Sequence, residues 1–310
     1  MRAIWLNSIL LRPWLTLLIS LLLVLASGFG AKNLYFRGDY RVFFAPDNPQ
    51  KLAYEEMQQV FSKTDNVNIT IAPDSNNVFS PDTLALIREY TDLAWQIPYS
   101  NRVDSIANFQ HTSAEEDELL VEDLIPDAAS MDAQQIADAR NVALSEPNLV
   151  NKMIPPDAKV GVINIMLQLP EDDLTSAVKE ISTYVRDLSQ RMSEKYPGHA
   201  FYHTGVVFLN DAFATAAEED SKTLVPGMFL AILLMLWLLL RSFTGMLATL
   251  VVIVATIGAT MGVAGWLNIF MSTATVNVPT LVMTLAVADC VHVISSMLFA
   301  LRQGKTKIEA

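Results

Sequence analysis

With 17% charged and 52% hydrophobic side chains over 310 residues, the chain is too apolar for an ordinary water-soluble protein, and its length allows one or two domains. A formal net charge of −12 argues against nucleic acid as a partner, because phosphate backbones are bound through cations. The single cysteine, Cys290, excludes an internal disulfide framework.

The apolar residues gather in four stretches around a polar middle. The first, Trp14 to Ala31, runs without a charge. At about 1.5 Å per residue it is long enough to cross most of a hydrocarbon core. Arg2 and Arg12 ahead of it, and Ala26-Ser27-Gly28 near its end, also suit a secretory signal peptide. Its apolar run exceeds the usual signal core, so it is read as a retained first span, 14–31, with cleavage as the alternative.

The segment 32–223 carries 15 basic and 31 acidic residues, so the acidic balance of the chain belongs almost wholly here. Within it, 52–61 reads as helical and 67–71 as a short alternating strand. Ser80-Pro81 predicts the start of a helix, serine as its cap and proline in the first turn, running to about Gln96. A second strand is expected over 102–109. Acidic 114–145 reads as part helical; Glu115, Glu116, Asp117 and Glu118 are taken as a solvated loop rather than a cation site.

Ile163, Ile165, Leu167 and Leu169 alternate with less apolar residues, predicting a strand with one buried face. Leu174, Val178, Ile181, Val185, Leu188 and Met192 then draw one apolar helical stripe, stopped at Pro197-Gly198. A strand over 200–207 is expected to follow. Strand–helix–strand, twice, points to two split βαβ units in an α+β sandwich. His111, His199 and His203 lack metal-ligand spacing, and no nucleophile–base pair, phosphate-binding glycine loop or zinc motif is present. No cofactor and no enzymatic activity are expected.

Three further spans are predicted at 224–240, 245–270 (including the turn that follows) and 278–301. Gly258-x-x-x-Gly262 with Gly265 marks a small-residue face for close helix packing. Arg2, Arg12, Arg241, Arg302, Lys305 and Lys307 all fall on one side of a four-span chain. The positive-inside tendency then puts 1–13 and 302–310 in the cytoplasm and 32–223 outside.

The fourth stretch holds the chemistry, within Thr284–Met297, TLAVADCVHVISSM. Asp289 lies near its middle, where an aspartate costs about 2.5–3.5 kcal/mol by insertion scales. Lipid surroundings favour the protonated carboxyl, which makes the residue a place for a proton to be taken up and released. His292 and Ser296, three and seven positions along, share its helical face. The stripe Asp289–His292–Ser296 is read as a proton relay, with Val287, Val291, Ile294 and Leu298 on the other side, available to lipid. A purely structural polar contact is the plainer alternative. Two carboxylates sharing a proton, as aspartyl proteolysis requires, are missing, since the spans hold one aspartate.

Four pieces of text complete the picture: DYRVFFAPDNP at 39–49, AWQIPYSNRVDSIANFQHT at 94–112, TGVVFLNDAF at 204–213, and ADCVH at 288–292. Their order, with one span, a large outer segment and an acid in the fourth span, resembles the resistance–nodulation–division superfamily. Within it the chain is most similar to the MMPL-type, hydrophobe/amphiphile exporter branch. The resemblance implies an α+β membrane protein, with four transmembrane helices and an extracytoplasmic porter-like domain of βαβ units. It implies proton-driven export of hydrophobic or amphiphilic compounds from a cell's inner membrane, with the outer domain in the periplasm. Asp289 takes the place of the family's proton-carrying acid; many relatives have Asp or Tyr directly after it, where this chain has Cys290. Members of that superfamily have more spans and a second outer loop, so the chain reads as an N-terminal fragment. Its expected partners are the lipid bilayer, the substrate, and either the remaining spans or a second polypeptide. The alternative is a non-transporting membrane protein whose outer domain binds lipid or a partner protein.

Overall fold

The structure, a computed structural model, describes residues 12–45, 47–61, 65–115, 118–170, 173–272 and 275–306. Arg2, Glu116, Asp117 and Lys307, named above, lie outside these. In chain order the elements are α1 (Pro13–Gly28), β1 (Phe36–Arg37), α2 (Pro49–Val60), β2 (Asp65–Pro73), α3 (Pro81–Ala94), β3 (Ser100–Asp104), β4 (Gln110–Glu115), β5 (Glu118–Asp123), α4 (Ala133–Ser145), β6 (Gly161–Leu167), α5 (Leu174–Lys195), β7 (His199–Thr204), α6 (Val206–Leu240), α7 (Phe243–Trp266), β8 (Met271–Ser272) and α8 (Val278–Arg302). The described residues fall into two compact units, one within 39–213 and one within 12–38 and 214–306.

The first unit is a four-stranded sheet in the order β3-β6-β2-β7, every neighbouring pair antiparallel. β6 therefore lies between β2 and β3, and β2 lies between β6 and β7. Each βαβ unit is split by a strand of the other, the arrangement of ferredoxin-like sandwiches. Alternation decides which face is buried. Val67, Ile69 and Ile71 of β2 pair with Ile165, Ile163 and Gly161 of β6, and these isoleucines and valines have no more than trace exposure. Leu84, Ile87 and Tyr90 of α3 and Val178, Ile181, Val185 and Leu188 of α5 are buried in the same core. On the opposite face, Asn66 Nδ2 donates to Asn164 Oδ1 at 3.2 Å.

Local chemistry starts the helices where it should. Ser80 Oγ accepts from Thr83 N at 3.3 Å, with Pro81 following. Asp132 and Gln135 form a reciprocal capping box on α4. Two sequence expectations are corrected at strand ends. The strand expected over 102–109 is β3 and stops at Asp104, because Asn108 takes the Ser105 N–H on its Oδ1 and donates to Val103 O, turning the chain. The strand expected to reach Val207 stops at Thr204. Gly205 sits at φ +104, where a Cβ would strike Asn66 O, and Val206 N donates to Asn66 Oδ1 as α6 begins. The acidic region also opens with an unexpected element, the β4–β5 hairpin, in which Glu115 and Glu118 are cross-strand partners.

The second unit contains α1, most of α6, α7 and α8. All four helices are long and apolar enough to cross a membrane. In lipid there is no hydrophobic drive between helices, so close approach has to come from small residues. Here α1 and the 3-10 turn that follows it (Phe29–Asn33) meet α7 through Gly28, Gly30, Gly262 and Gly265: a Cβ at Gly30 would overlap Gly262 O, and one at Gly265 would overlap Gly30 O. Gly258 is different: its carbonyl oxygen would lie 3.7 Å from a Cβ on Gly28, yet a Cβ of its own would meet open space, so only part of the glycine motif needs its missing side chain. Trp266 Nε1 donates to Ala26 O at 3.1 Å across the same seam. α1 is thus a packed member of the helical unit.

Candidate functional site in the last helix

α8 begins after Asn277 with a proline in its first turn, and carries Asp289 near its middle. Its packed face is apolar. Met283 and Ala286 are buried with Leu236 of α6 and Ile253 of α7, and Val287, Val291 and Ile294 pack on this cluster. The expectation that Val287, Val291 and Ile294 meet lipid is therefore corrected. Branched side chains at this spacing interlock with the neighbouring helices, and the opposite face is the open one.

On that open face lie Asp289, His292 and Ser296, all three exposed within the unit, as the three- and four-residue spacings require. Leu285, Val293 and Phe299 flank them, with 65–68% of their surface exposed. The structure brings the three polar residues to one side of one helix. It brings no second polar surface against them among the described residues. Ser295, beside the stripe, spends its hydroxyl on His292 O at 3.2 Å.

The sheet domain contains a second polar assembly that pattern reading missed. Tyr90 OH lies 2.8 Å from Ser189 Oγ, and Ser189 Oγ lies 2.7 Å from His203 Nε2. Next to it, Asp211 accepts from Arg186 at 2.6 Å and from Ser182 at 2.9 Å. Burial, and then the Arg186 guanidinium, push the His203 imidazole below its usual value. Ser189 and His203 are close enough for nucleophile and base, yet Ser189 is 4% exposed and already shared between two partners. The pair is an internal tether. Its one sequence signal is alternation: β7 sets Phe201 and His203 opposite Ile71 and Ile69, hence on the core face. Arg186 and Asp211 are far apart in sequence and carried no such signal.

Among the described residues no three His, Cys, Asp or Glu side chains gather as a metal site. Shallow depressions line the outer side of α5 and the Tyr99–Ser100 corner, the latter about 390 Å³. The depressions along α5 are lined by charged side chains of that one helix, Lys179, Glu180, Asp187, Arg191 and Glu194, and the Tyr99–Ser100 corner by none.

No curated protein matches the chain. The MMPL family model matches residues 43–291, a span that takes in the sheet domain, α6, α7 and the part of α8 that carries Asp289. Four apolar helices and this match agree in kind, since both describe a chain that lives in a bilayer. The chain therefore belongs to the MMPL family and is a multi-pass membrane protein of transporter type.

Proposed function

We propose that this protein moves hydrophobic or amphiphilic, lipid-like compounds outward across a cell's inner membrane, driven by protons taken up and released at Asp289. The observation that carries the reading is the single carboxyl near the middle of α8, in line with His292 and Ser296 on the helix face that its own neighbours leave open. An aspartate at that depth is costly unless it pairs or works. A face left uncovered is where partner helices would seat, whether further spans of the same polypeptide or a second one. His292 extends the stripe by an imidazole that both accepts and donates protons, and Ser296 offers a hydroxyl to water or to the ring. The sheet domain, a porter-like extracytoplasmic module, then handles substrate without covalent chemistry.

The test is transport of a fluorescent lipid in vesicles bearing a pH gradient, with Asp289 varied in the complete assembly. Asp289→Asn is expected to abolish gradient-driven transport while membrane insertion and expression are unchanged, and Asp289→Glu to retain part of it. Undiminished transport by Asp289→Asn would sink the relay. The open stripe also favours a second reading, a lipid- or partner-binding protein that transports nothing. Lipid binding with no response to the gradient in the wild type would select it.

A further inference from the structure

His203 stands in surroundings arranged around a neutral ring. It sits on the edge strand β7 opposite Ile69 of β2 and offers Nε2 to Ser189 of α5, which is held in turn by Tyr90 of α3. Its ring stacks on Phe208 in the first turn of α6, with centroids 5.0 Å apart and planes 12° apart. Phe208 also takes the Arg186 guanidinium, 5.2 Å from its centroid. Arg186 is the ion-pair partner of Asp211, one turn further along α6. One aromatic ring thus serves an uncharged imidazole and a cation, and the two contacts together fasten α5 to the start of α6.

The charges facing this joint can be named element by element. α5 contributes Arg186, a cation; α6 contributes Asp211, occupied by Arg186 and by Ser182. α3 contributes the Tyr90 phenol, which burial keeps protonated. β2 contributes apolar Ile69. Arg191 and Tyr184, also on α5, are the next titratable groups around Tyr90. None of these supplies a free anion to an imidazolium. A proton on His203 would set a second cation beside Arg186, in a half-buried place, while costing the ring its acceptor nitrogen.

We propose that His203 is a pH-responsive fastener, whose protonation loosens the α5–α6 joint and frees the first two turns of α6 from the sheet domain. The later part of α6, from 224 to 240 and beginning close to Pro226, is the second candidate span, so the released segment leads along the chain into a membrane helix. The direction follows from linkage. The joined state binds the proton less readily than the opened one, so opening gains population as pH falls below about 6.5. The fastener needs no assumption about Asp289 or transport.

The test is hydrogen exchange on the full chain in detergent between pH 7.5 and 5.0, with rates corrected for the intrinsic pH dependence of exchange. Protection over 182–189 and 206–213 is expected to fall by up to about tenfold for each pH unit separating the joined and opened midpoints, with β2 and β6 unaffected. His203→Gln should flatten this dependence. His199→Gln on the same strand should leave it, because His199 is held elsewhere by Thr83 and Tyr196 O. A wild type whose protection is flat with pH, or a His203→Gln protein that loosens as the wild type does, overturns the proposal. A second measurement needs no variant: the 13C-histidine resonance shifted by the Phe208 ring should titrate below about 6.5, with its midpoint at the pH where the loss of protection levels off. A ring that titrates at or above about 6.5, or protection that goes on falling below the ring's midpoint, overturns the proposal as well.

Discussion

Tyr90 is the largest of the fully buried side chains, and its hydroxyl would be stranded in the core without Ser189. A buried hydrogen bond of this kind is worth about 1 kcal/mol net. Tyr90→Phe is expected to lower the thermal midpoint of the sheet domain modestly, because Ser189 keeps His203 as a partner; a circular-dichroism melt checks it. One position back, Glu89 accepts from Lys195 Nζ at 2.6 Å and from Tyr196 OH at 2.7 Å, tying α3 to the end of α5. Lys195, more than the phenol, holds the Glu89 carboxyl below its usual range, while burial and then Glu89 push the Tyr196 phenol up to about 12. The signs are opposite. The depressed carboxyl contributes stability above its unfolded value near 4.5, lost as pH falls through the folded one. The raised phenol contributes below its unfolded value near 10, lost as pH climbs toward about 12. Glu89→Gln should therefore flatten the acid side of a stability–pH profile and bring the phenol's titration back toward its ordinary value. An unchanged acid limb would show that Glu89 does not take part.

At the scale of elements, the α1–α7 seam depends on the missing Cβ at particular positions rather than on the glycine motif as a whole. Gly262→Ala would place a methyl group against Ser27 O and Gly28 Cα, so the helices must part or shift. Overpacking of this kind costs about 1–3 kcal/mol. Gly258→Ala meets open space and should leave the fold unchanged. Thermal midpoints in lipid nanodiscs separate the two; equal losses from both would mean that the seam is not where the packing lies. The interlock of Val287, Val291 and Ile294 with α6 and α7 explains in turn why the polar stripe of α8 faces outward. A helix with one branched apolar face has only the other face left for Asp289.

Across the whole molecule, the exposed surfaces of the long helices are leucine, valine and aromatic side chains, among them Leu17, Leu21, Leu234, Trp237 and Val251. Such surface suits lipid tails or further apolar helices and not water. With four spans and the cations at 241, 302 and 305 on one side, the positive-inside tendency predicts a common cytoplasmic face for both termini. In a Cys290→Ser background, Lys305→Cys should react with an impermeant thiol reagent only from the cytoplasmic side. Lys152→Cys and Asn268→Cys should react only from the other. Reaction of Lys305→Cys and Lys152→Cys from the same side would overturn the orientation.

What the sequence by itself determined was whatever depends on near neighbours along the chain. Four apolar stretches declare four long helices, since length and the absence of charge are local properties. The stripe from Leu174 to Met192 and the alternation from Ile163 onward declare a buried helix face and a buried strand face for the same reason. The in-line placement of Asp289, His292 and Ser296 follows from helical pitch alone. Strand ends were less legible, because Gly205 and Asn108 act through Asn66 and Val103, contacts that spacing does not announce. Only the tertiary structure decided what those faces meet. It placed the polar stripe of α8 away from its neighbours, gave the close approach to Gly28, Gly30, Gly262 and Gly265 rather than Gly258, and joined Tyr90, Ser189 and His203 into one tether. Each of these is set by the packing of residues from different elements, where distance in space and distance along the chain are unrelated.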